Sequence, residues 1–259
     1  MSDLAGRRAV VTGGGRGAGE AIARSLAEAG AAVLVAARSG DQLERVAHDI
    51  ERGGGRAWAA TCDVTDEASV ARLAETVARA MSGVDILVNN AGIAMSSAVH
   101  ATTLEDWERV FAVNVRGTFL CTRAFFPGMV AQGWGRVVNI ASTAGLRGDR
   151  YLAAYAASKH AVLGFTRSVA AEGARAGVTA NAVCPGYLDT DMTRQSVARI
   201  VEKTGRSEAE ALEAVLAVNP QRRLIAPSEV AAVVRLLCSA EGAGINGEAI
   251  TIDGGELRR

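Results

Sequence analysis

The sequence predicts an α/β protein in which helices cover both faces of one parallel sheet, folded as a single domain over 259 residues. Three observations predict this fold. Short apolar runs alternate regularly with longer stretches of helical periodicity. Hydrophobic residues make up 49% of the chain and aromatic residues only 4%, which suits close packing of helices on a sheet. No linker, repeat or low-complexity tract divides the chain.

The first predicted unit is a strand, a glycine-rich turn and a helix. A β-rich apolar run at 7–12 leads into Gly-Gly-Gly-Arg-Gly-Ala-Gly at 13–19, and a helical pattern then continues to Gly30. Glycines in this context allow a tight turn, let the backbone approach a pyrophosphate and direct a helix N-terminus at it. The pattern favours a dinucleotide-binding turn over a purely structural loop.

The second strand, predicted at 31–37, ends without the acidic residue that would bind a free ribose 2′-hydroxyl. Ala37 and Arg38 occupy that place, and Arg16 lies inside the glycine turn, so two guanidinium groups are available to a 2′-phosphate. The alternative is a pair of solvated arginines. We expect NADP (NADPH) and not NAD as the cofactor.

The alternation of strands and helices continues to the end of the chain. Strands are predicted at 56–62, 84–88, 136–141, 178–183 and 248–252, and helices at 41–51, 67–81, 104–132, 155–174 and 228–238. Distinctive residues follow the carboxyl ends of successive predicted strands: Gly13, Arg38, Asp63, Asn90, Ser142 and Pro185. Ligands bind at that edge of open α/β sheets, so we expect the functional site there.

The chemistry is expected between Ser142 and Lys159. Tyr155 and Lys159 are separated by one helical turn in an Ala-rich stretch, so both side chains should lie on one face. A neighbouring ammonium group favours the phenolate, and we therefore expect Lys159 to lower the pKa of Tyr155 and make it usable for proton transfer. Ser142, at a strand end, can donate a hydrogen bond to a substrate oxygen. The alternative is a half-buried helix tyrosine beside a solvated lysine.

Composition argues against several other classes of protein. The 28 basic residues balance the 28 acidic ones, so no overall field attracts nucleic acid or an anionic membrane. The cysteines and histidines are dispersed, and we expect neither a disulfide framework nor a metal site: Cys62, Cys121, Cys184, Cys238, His48, His100 and His160. A polar N-terminal stretch and the lack of a long apolar run predict a cytoplasmic protein.

Several motifs together resemble the short-chain dehydrogenase/reductase superfamily. They are TGGGRGAG at 12–19, NNAG at 89–92, Asn114, Ser142, YAASK at 155–159, PGYLDT at 185–190 and DGG at 253–255. The resemblance covers essentially the whole chain and implies a Rossmann-type, doubly wound parallel sheet. Within the superfamily the chain is most similar to the 3-oxoacyl-thioester reductase group.

The resemblance also implies roles for individual residues. Tyr155 would be the general acid in ketone reduction, Ser142 would polarise the carbonyl, and Lys159 would hold the nicotinamide ribose and lower the tyrosine pKa. Asn114 would position a water molecule between Lys159 and solvent. Further residues are assigned to the cofactor, with the glycines at the pyrophosphate, Asp63 at the adenine, Asn90 at the ribose and Thr190 at the carboxamide: Gly13, Gly17, Gly19, Asp63, Val64, Asn90, Pro185, Gly186 and Thr190. We also expect a homotetramer, because the helices carrying Asn114 and Tyr155 have more apolar surface than one sheet face can cover and members of the family generally associate through these helices and the last strand.

The substrate is predicted from the segment 191–226. Apolar spacing indicates two short helices, the second opened by a capping box at 207–210, which together would form a lid over an apolar pocket. Ordinary packing onto the domain or a neighbouring subunit is the alternative. Basic residues in and near this segment suit a phosphorylated carrier such as coenzyme A: Arg147, Arg150, Arg194, Arg199, Lys203, Arg206, Arg222 and Arg223.

Three functions remain open from the sequence. The first is reduction of a 3-oxoacyl thioester, possibly carrier-bound, by NADPH. The second is reduction or oxidation of a small cyclic or aryl ketone or alcohol. The third is a non-catalytic protein that senses NADP, although such relatives generally lack part of the set formed by Asn114, Ser142, Tyr155 and Lys159, which this chain retains.

Overall fold

Seven parallel strands form one sheet at the centre of the protein, in the order β3-β2-β1-β4-β5-β6-β7. The structure, a computed structural model, describes residues 3–258. The strands are β1 (Arg8–Thr12), β2 (Ala32–Ala37), β3 (Arg56–Thr61), β4 (Ile86–Asn89), β5 (Gly135–Ile140), β6 (Val178–Pro185) and β7 (Ala249–Ile252). The strand order changes direction between β1 and β4, which opens a crevice at the carboxyl edge of the sheet.

Helices cover both faces of the sheet. They are α1 (Gly17–Glu28), α2 (Gly40–Arg52), α3 (Glu67–Met81), α4 (Leu104–Phe111), α5 (Gly117–Gln132), α6 (Ala153–Gly173), α7 (Asp191–Thr204), α8 (Glu208–Leu216) and α9 (Pro227–Cys238). Helices α1, α2 and α9 share one apolar core, and α3, α5 and α6 share the other. Because side chains alternate along a strand, Val11 faces the first core and Val10 the second. The predicted fold is confirmed.

Most predicted elements lie within a few residues of the observed ones. Helix α3 has the predicted bounds, because the Asp66 carboxylate caps its N-terminus by accepting from the Ala68 and Ser69 amides and Ser82 ends it in the left-handed conformation. Strand β6 extends to Pro185, two residues past its predicted end. The four cysteines are buried and unpaired. None of the described helices is both long and apolar enough to cross a bilayer.

The prediction of one continuous helix over 104–132 is wrong. Between α4 and α5 the backbone forms a π-helical turn at Ala112–Arg116, with Asn114 at its centre. The buried Asn114 side chain bonds both backbone groups of Ile93, so a tertiary contact compensates for the weaker local geometry. Periodicity cannot show such an insertion, since the flanking helices keep the same pattern.

The two helices predicted in the segment 191–226 are α7 and α8. The capping box is present, with Glu210 N bonded to Ser207 Oγ and the Glu210 carboxylate accepting from Ser207 N. Val197 of α7 packs with Ala211 and Val215 of α8 in a small core separate from those on the sheet. On α8, Ala211 and Val215 are buried, whereas Leu212 is exposed.

Candidate active site

The glycine turn after β1 is packed so closely that no side chain would fit at Gly13 or Gly19. A Cβ atom on Gly13 would lie 2.8 Å from Asn90 Nδ2, and one on Gly19 would lie 2.2 Å from Gly13 O. Gly13 and Gly17 have φ of +64° and +55°, values that favour glycine. The N-cap of α1, Arg16, makes no side-chain cap bond, so the first amides of α1 remain available to an anion. The turn therefore fits a pyrophosphate group.

Asn90 braces this turn from the neighbouring strand. Its Nδ2 donates to Thr12 O at 3.0 Å and to Gly13 O at 3.1 Å, and its backbone amide donates to Thr12 Oγ1 at 3.1 Å. The predicted residue Asn90 is thus tied to the end of β1 and to the predicted pyrophosphate turn. Loss of its amide would leave two strand-end carbonyls without a donor.

Arg16 and Arg38 are exposed, and neither forms an ion pair within residues 3–258. Asp63, at the end of β3, lies near Arg38. The pKa of the Asp63 carboxyl is lowered, first by hydrogen bonds from the Thr65 amide and hydroxyl and then by Arg38 and Arg116. The next residue, Val64, is buried against Gly117, where a Cβ atom would lie 2.7 Å from Val64 Cγ2. These residues form the predicted adenine side of the crevice.

An ion-pair network behind the glycine turn was not predicted from the sequence. Arg45 Nη2 donates to Gly15 O at 3.2 Å and to Glu20 Oε2 at 2.6 Å, and Arg24 bonds both Glu20 and Asp49. Arg45 is in α2 and Glu20 in α1, so the network fixes the turn relative to both helices. Arg45 lies 30 residues after Gly15, and no motif connects the two positions.

Ser142 and Tyr155 meet at the carboxyl end of β5. Ser142, two residues past the end of β5, has an extended backbone and caps a 3-10 turn at Thr143–Gly145, and its Oγ accepts from Ala144 N at 3.2 Å. Tyr155 is in the first turn of α6. Burial raises the pKa of its phenol, and a hydrogen bond with Ser142 acts in the opposite direction with a smaller effect. The structure therefore brings the two hydroxyl groups close together.

Lys159 lies beside Tyr155 on α6, but its ammonium group does not lower the phenol pKa in this structure. Its Nζ donates to Ile140 O at 2.8 Å and lies 5.8 Å from the centroid of the Tyr155 ring. Burial lowers the pKa of Lys159 to about 8. Lys159 lies beside Tyr155 as predicted. The predicted lowering of the Tyr155 pKa is wrong, because desolvation of the phenolate has the largest effect on this pKa and raises it.

Asn114 faces the same small space as Lys159. A Cβ atom on Gly92 would lie 3.3 Å from Asn114 Oδ1 and 3.6 Å from Lys159 Nζ. Asn114 Nδ2 also donates to Ser158 Oγ at 3.0 Å, and that hydroxyl donates to Tyr155 O at 2.7 Å. The π-helical turn thus connects the asparagine to α6. A water molecule between Asn114 and Lys159 remains a prediction.

Pro185, Gly186 and Thr190 close the other side of the crevice. Pro185 ends β6, and the Gly186 amide donates to Ile252 O of β7 at 3.0 Å. A Cβ atom on Gly17 would lie 3.2 Å from Thr190 Cγ2, so Thr190 lies opposite the glycine turn. The predicted site residues therefore line one continuous edge of the sheet.

Most basic residues predicted to surround the pocket are paired with carboxylates. Arg222 binds Glu213, Arg223 binds Glu229 through two bonds of 2.6 and 2.9 Å, and Arg194 binds Asp189 and Asp191. Arg147 binds Glu256 and Asp149, and Lys203 lies 3.9 Å from Glu202. Within residues 3–258, only three of this set form no ion pair: Arg150, Arg199 and Arg206. Arg222 and Arg223 are therefore paired in this structure, and their contact with a phosphorylated carrier remains a prediction.

The strand order, the glycine turn and the hydroxyl pair define a dinucleotide-dependent oxidoreductase of the α/β class. The family model for short chain dehydrogenases matches residues 7–200, and the chain belongs to this family. It is accordingly an NAD(P)-dependent oxidoreductase.

Full-length relatives support this assignment. A 3-oxoacyl-[acyl-carrier-protein] reductase of Aquifex aeolicus is 39% identical over 253 residues, covering 97% of this chain and 98% of the relative. A D-beta-hydroxybutyrate dehydrogenase of Rhizobium meliloti is 35% identical over 252 residues, covering 96% and 98%. Among solved structures, a variant of actinorhodin polyketide ketoreductase with NADPH has a TM-score of 0.94 at 36% identity, covering 100% of this chain and 99% of its own.

Proposed function

We propose that this protein is an NADPH-dependent ketoreductase that reduces a 3-oxoacyl thioester to the 3-hydroxyacyl thioester. The observation that carries the proposal is the Ser142–Tyr155 hydroxyl pair at the carboxyl edge of the sheet, next to Lys159 and across the crevice from the glycine turn. The substrate class is supported by the Aquifex relative, whose name is 3-oxoacyl-[acyl-carrier-protein] reductase. The ketoreductase with NADPH among the solved structures supports the reaction type.

NADPH supplies the hydride for this reaction. Its pyrophosphate would lie at the glycine turn and the α1 N-terminus, its 2′-phosphate near Arg16 and Arg38, and its adenine near Asp63 and Val64. On the opposite side the nicotinamide ribose would contact Lys159, and the carboxamide would contact Thr190. The uncapped N-terminus of α1 and the exposed Arg16 and Arg38, which form no ion pair within residues 3–258, support this arrangement.

Ser142 and Tyr155 would act on the carbonyl oxygen of the substrate. Both hydroxyl groups donate to the oxygen as negative charge develops, and each such donor contributes about 3 kcal/mol to transition-state stabilisation. Tyr155 then transfers its proton to the alkoxide. Because burial raises the phenol pKa, Tyr155 is protonated at neutral pH and suited to the reductive direction. Lys159 and Asn114 would return the proton through an ordered water molecule.

The preference for NADP is part of the proposal and rests on two features of the crevice. The end of β2 carries Ala37 and Arg38 where a ribose-binding acid would stand, and Arg38 is exposed without an ion pair among the described residues. Arg16, the N-cap residue of α1, is also exposed and lies within the glycine turn. Guanidinium groups bind phosphate strongly and bind a free ribose hydroxyl poorly.

Helices α7 and α8 are proposed as a lid over the substrate pocket. They pack on each other through their own small core, and Met192 and Leu212 remain exposed. A phosphorylated carrier would contact Arg150, Arg199 and Arg206, because the other basic residues of this region are paired. The pairing of Arg222 and Arg223 specifically favours the second candidate, reduction of a small free ketone without a carrier.

We also infer a homotetramer, located in the cytoplasm. Trp107, Phe119 and Val130 of α4 and α5 are exposed, and the last strand, β7, has an open edge, so association through these elements would bury apolar surface. Buried, unpaired thiols are typical of proteins of reducing compartments. Light scattering at micromolar concentration tests the assembly, and a monomeric mass would exclude it.

Steady-state consumption of NADPH tests the function. Acetoacetyl-CoA should be reduced with a higher kcat/KM than an uncharged cyclic or aryl ketone. Acetoacetyl N-acetylcysteamine, a thioester without phosphates, separates recognition of the thioester from recognition of the carrier. Reduction of the free ketone alone would favour the second candidate. Tight NADPH binding with no turnover of any ketone would indicate a non-catalytic protein.

A further inference from the structure

Three segments that follow strands β5, β6 and β7 meet at a buried ion pair next to the proposed substrate site. Arg147, in the loop after Ser142, donates from Nη2 to Glu256 Oε1 at 2.5 Å and from Nη1 to Glu256 O at 3.4 Å. Its Nε donates to Asp149 Oδ2 at 3.2 Å. The Glu256 side chain is 4% exposed and that of Arg147 is 34% exposed. The pair therefore connects residues 109 apart in sequence, in the segments that follow β5 and β7.

The segment after β7 is folded back so that Glu256 reaches this position. Asp253 accepts from the Gly255 amide and from the Leu257 amide, each at 2.9 Å, which forms a tight turn around Glu256. The other carboxylate oxygen of Glu256 packs on Gly186, where a Cβ atom would lie 3.0 Å from Oε2. Gly186 thus leaves room for a buried carboxylate immediately before Tyr187.

Tyr187 connects this ion pair to the reacting groups. Its pKa is raised, first by burial and then by Glu256 and Asp149, so its phenol lies within the field of the pair. Tyr187 in turn contributes to the raised pKa of Tyr155. The backbone of Tyr187 is fixed separately, because its carbonyl accepts from Ile225 N at 2.9 Å. Tyr187 directly follows Gly186, whose backbone packs on the Glu256 carboxylate, so a change in the ion pair would alter the surroundings of Tyr187.

A buried ion pair is a costly way to hold two segments together. Desolvation offsets much of the attraction between the charges, and a well-packed apolar pair would hold them as firmly. What an ion pair with several bonds adds is a single defined geometry. Here the ion pair defines the relative positions of the loop after Ser142, of Tyr187 and of the chain after β7.

We propose that Arg147 and Glu256 are positioning residues for the substrate: they clasp the segment after β7 to the loop after Ser142 and hold Tyr187 at the substrate side of the site. The proposal deepens the ketoreductase function and rests on it for its kinetic test. It assigns no contact with the cofactor to the pair. The clasp should therefore affect the substrate KM and leave NADPH affinity unchanged.

Kinetics of Arg147→Met and Glu256→Gln test the clasp. Each variant should raise the KM for the thioester about tenfold, because a small displacement of positioning groups has effects of this size. The kcat should change less than about threefold and the Kd for NADPH should not change. The double variant Arg147→Met with Glu256→Met, which replaces the pair by apolar groups, should recover part of the KM. Arg235→Met, which removes a comparable pair with Asp3 far from the site, is the matched control.

An unchanged KM in both single variants, or an NADPH Kd that rises in parallel with KM, would overturn the proposal. Hydrogen exchange separates its failure from failure of the proposed function, since it needs no substrate. Exchange in segments 143–151 and 253–257 should become faster together in Arg147→Met and in Glu256→Gln, with β1 and α1 unchanged. This test holds even if the wild type reduces no ketone. Faster exchange in both segments of each variant supports the clasp, and faster exchange in only one of the two segments excludes it.

Discussion

The nucleotide side and the substrate side of the crevice are built differently. On the nucleotide side, the turn at 13–19 depends on its glycine backbone, and Asn90 and Arg45 brace it through its carbonyl groups. On the substrate side, a side-chain ion pair between Arg147 and Glu256 connects segments far apart in the chain. The comparison teaches that the nucleotide turn is shaped mainly by its own backbone, whereas the segments on the proposed substrate side are joined by side chains.

Tyr155→Phe should have the largest effect, because it should lower turnover and leave NADPH binding nearly unchanged. Removal of the proton donor should lower kcat roughly a thousandfold, within the usual range of general acid catalysis. The Kd for NADPH should remain within about twofold, because the phenol hydroxyl is not required for the nucleotide turn. Stopped-flow fluorescence for binding and NADPH consumption for turnover give both numbers. Tyr151→Phe, which removes an exposed phenol from the preceding loop, is the control. Retention of more than a few per cent of kcat would refute the assignment.

The nucleotide side alone should respond to Ala37→Asp combined with Arg38→Ser. The aspartate provides an acceptor for the ribose hydroxyls, and loss of the guanidinium removes a charge-assisted bond of about 1.5–3 kcal/mol, or about tenfold to hundredfold in affinity. The ratio of kcat/KM for NADPH to that for NADH should fall by this factor, with the thioester KM unchanged. A wild type that already prefers NADH would show that Arg16 and Arg38 are ordinary surface charges.

The pH dependence of ketone reduction tests the role of Lys159, which lies between the nucleotide side and the substrate side of the crevice. Lys159 has its pKa lowered to about 8 by burial, so its ammonium group loses the proton as pH rises through that value. Tyr155 keeps its proton over the same interval because its pKa is raised. Reduction should therefore fall about tenfold per pH unit above pH 8, with a single deprotonation. A flat profile up to 10.5, the ordinary lysine value, would contradict the role of the charged lysine.

The smallest effect is expected from the network behind the glycine turn. Arg45→Met removes the bond to Gly15 O and should raise the NADPH Kd about fivefold, the equivalent of one hydrogen bond of about 1 kcal/mol. Arg52→Met in the same helix removes only a long contact with Asp49 and should leave the Kd unchanged. Titration of NADPH fluorescence measures both. Equal effects of the two variants would mean that Arg45 acts through the general charge of α2.

The sequence predicted what is periodic or local. Sequence patterns were sufficient to predict the sheet and the order of residues along its carboxyl edge. These patterns are the apolar strand runs, the glycine turn, the absence of an acid at Ala37 and the one-turn spacing of Tyr155 and Lys159. Three features were not predictable for physical reasons. The π-helical turn at Asn114 depends on the Ile93 backbone, the raised Tyr155 pKa depends on burial, and the pairing of Arg222 and Arg223 depends on neighbouring helices.

The most direct test of the proposed reaction is to follow the hydride itself. The wild-type protein is incubated with acetoacetyl-CoA and NADPH that carries deuterium at the transferable position of the nicotinamide, and the product is analysed by mass spectrometry. We expect a 3-hydroxybutyryl thioester with a single deuterium on carbon 3, formed by the wild type and not by Tyr155→Phe. An unlabelled product, or NADPH bound without product in the presence of the thioester, would contradict the proposed function.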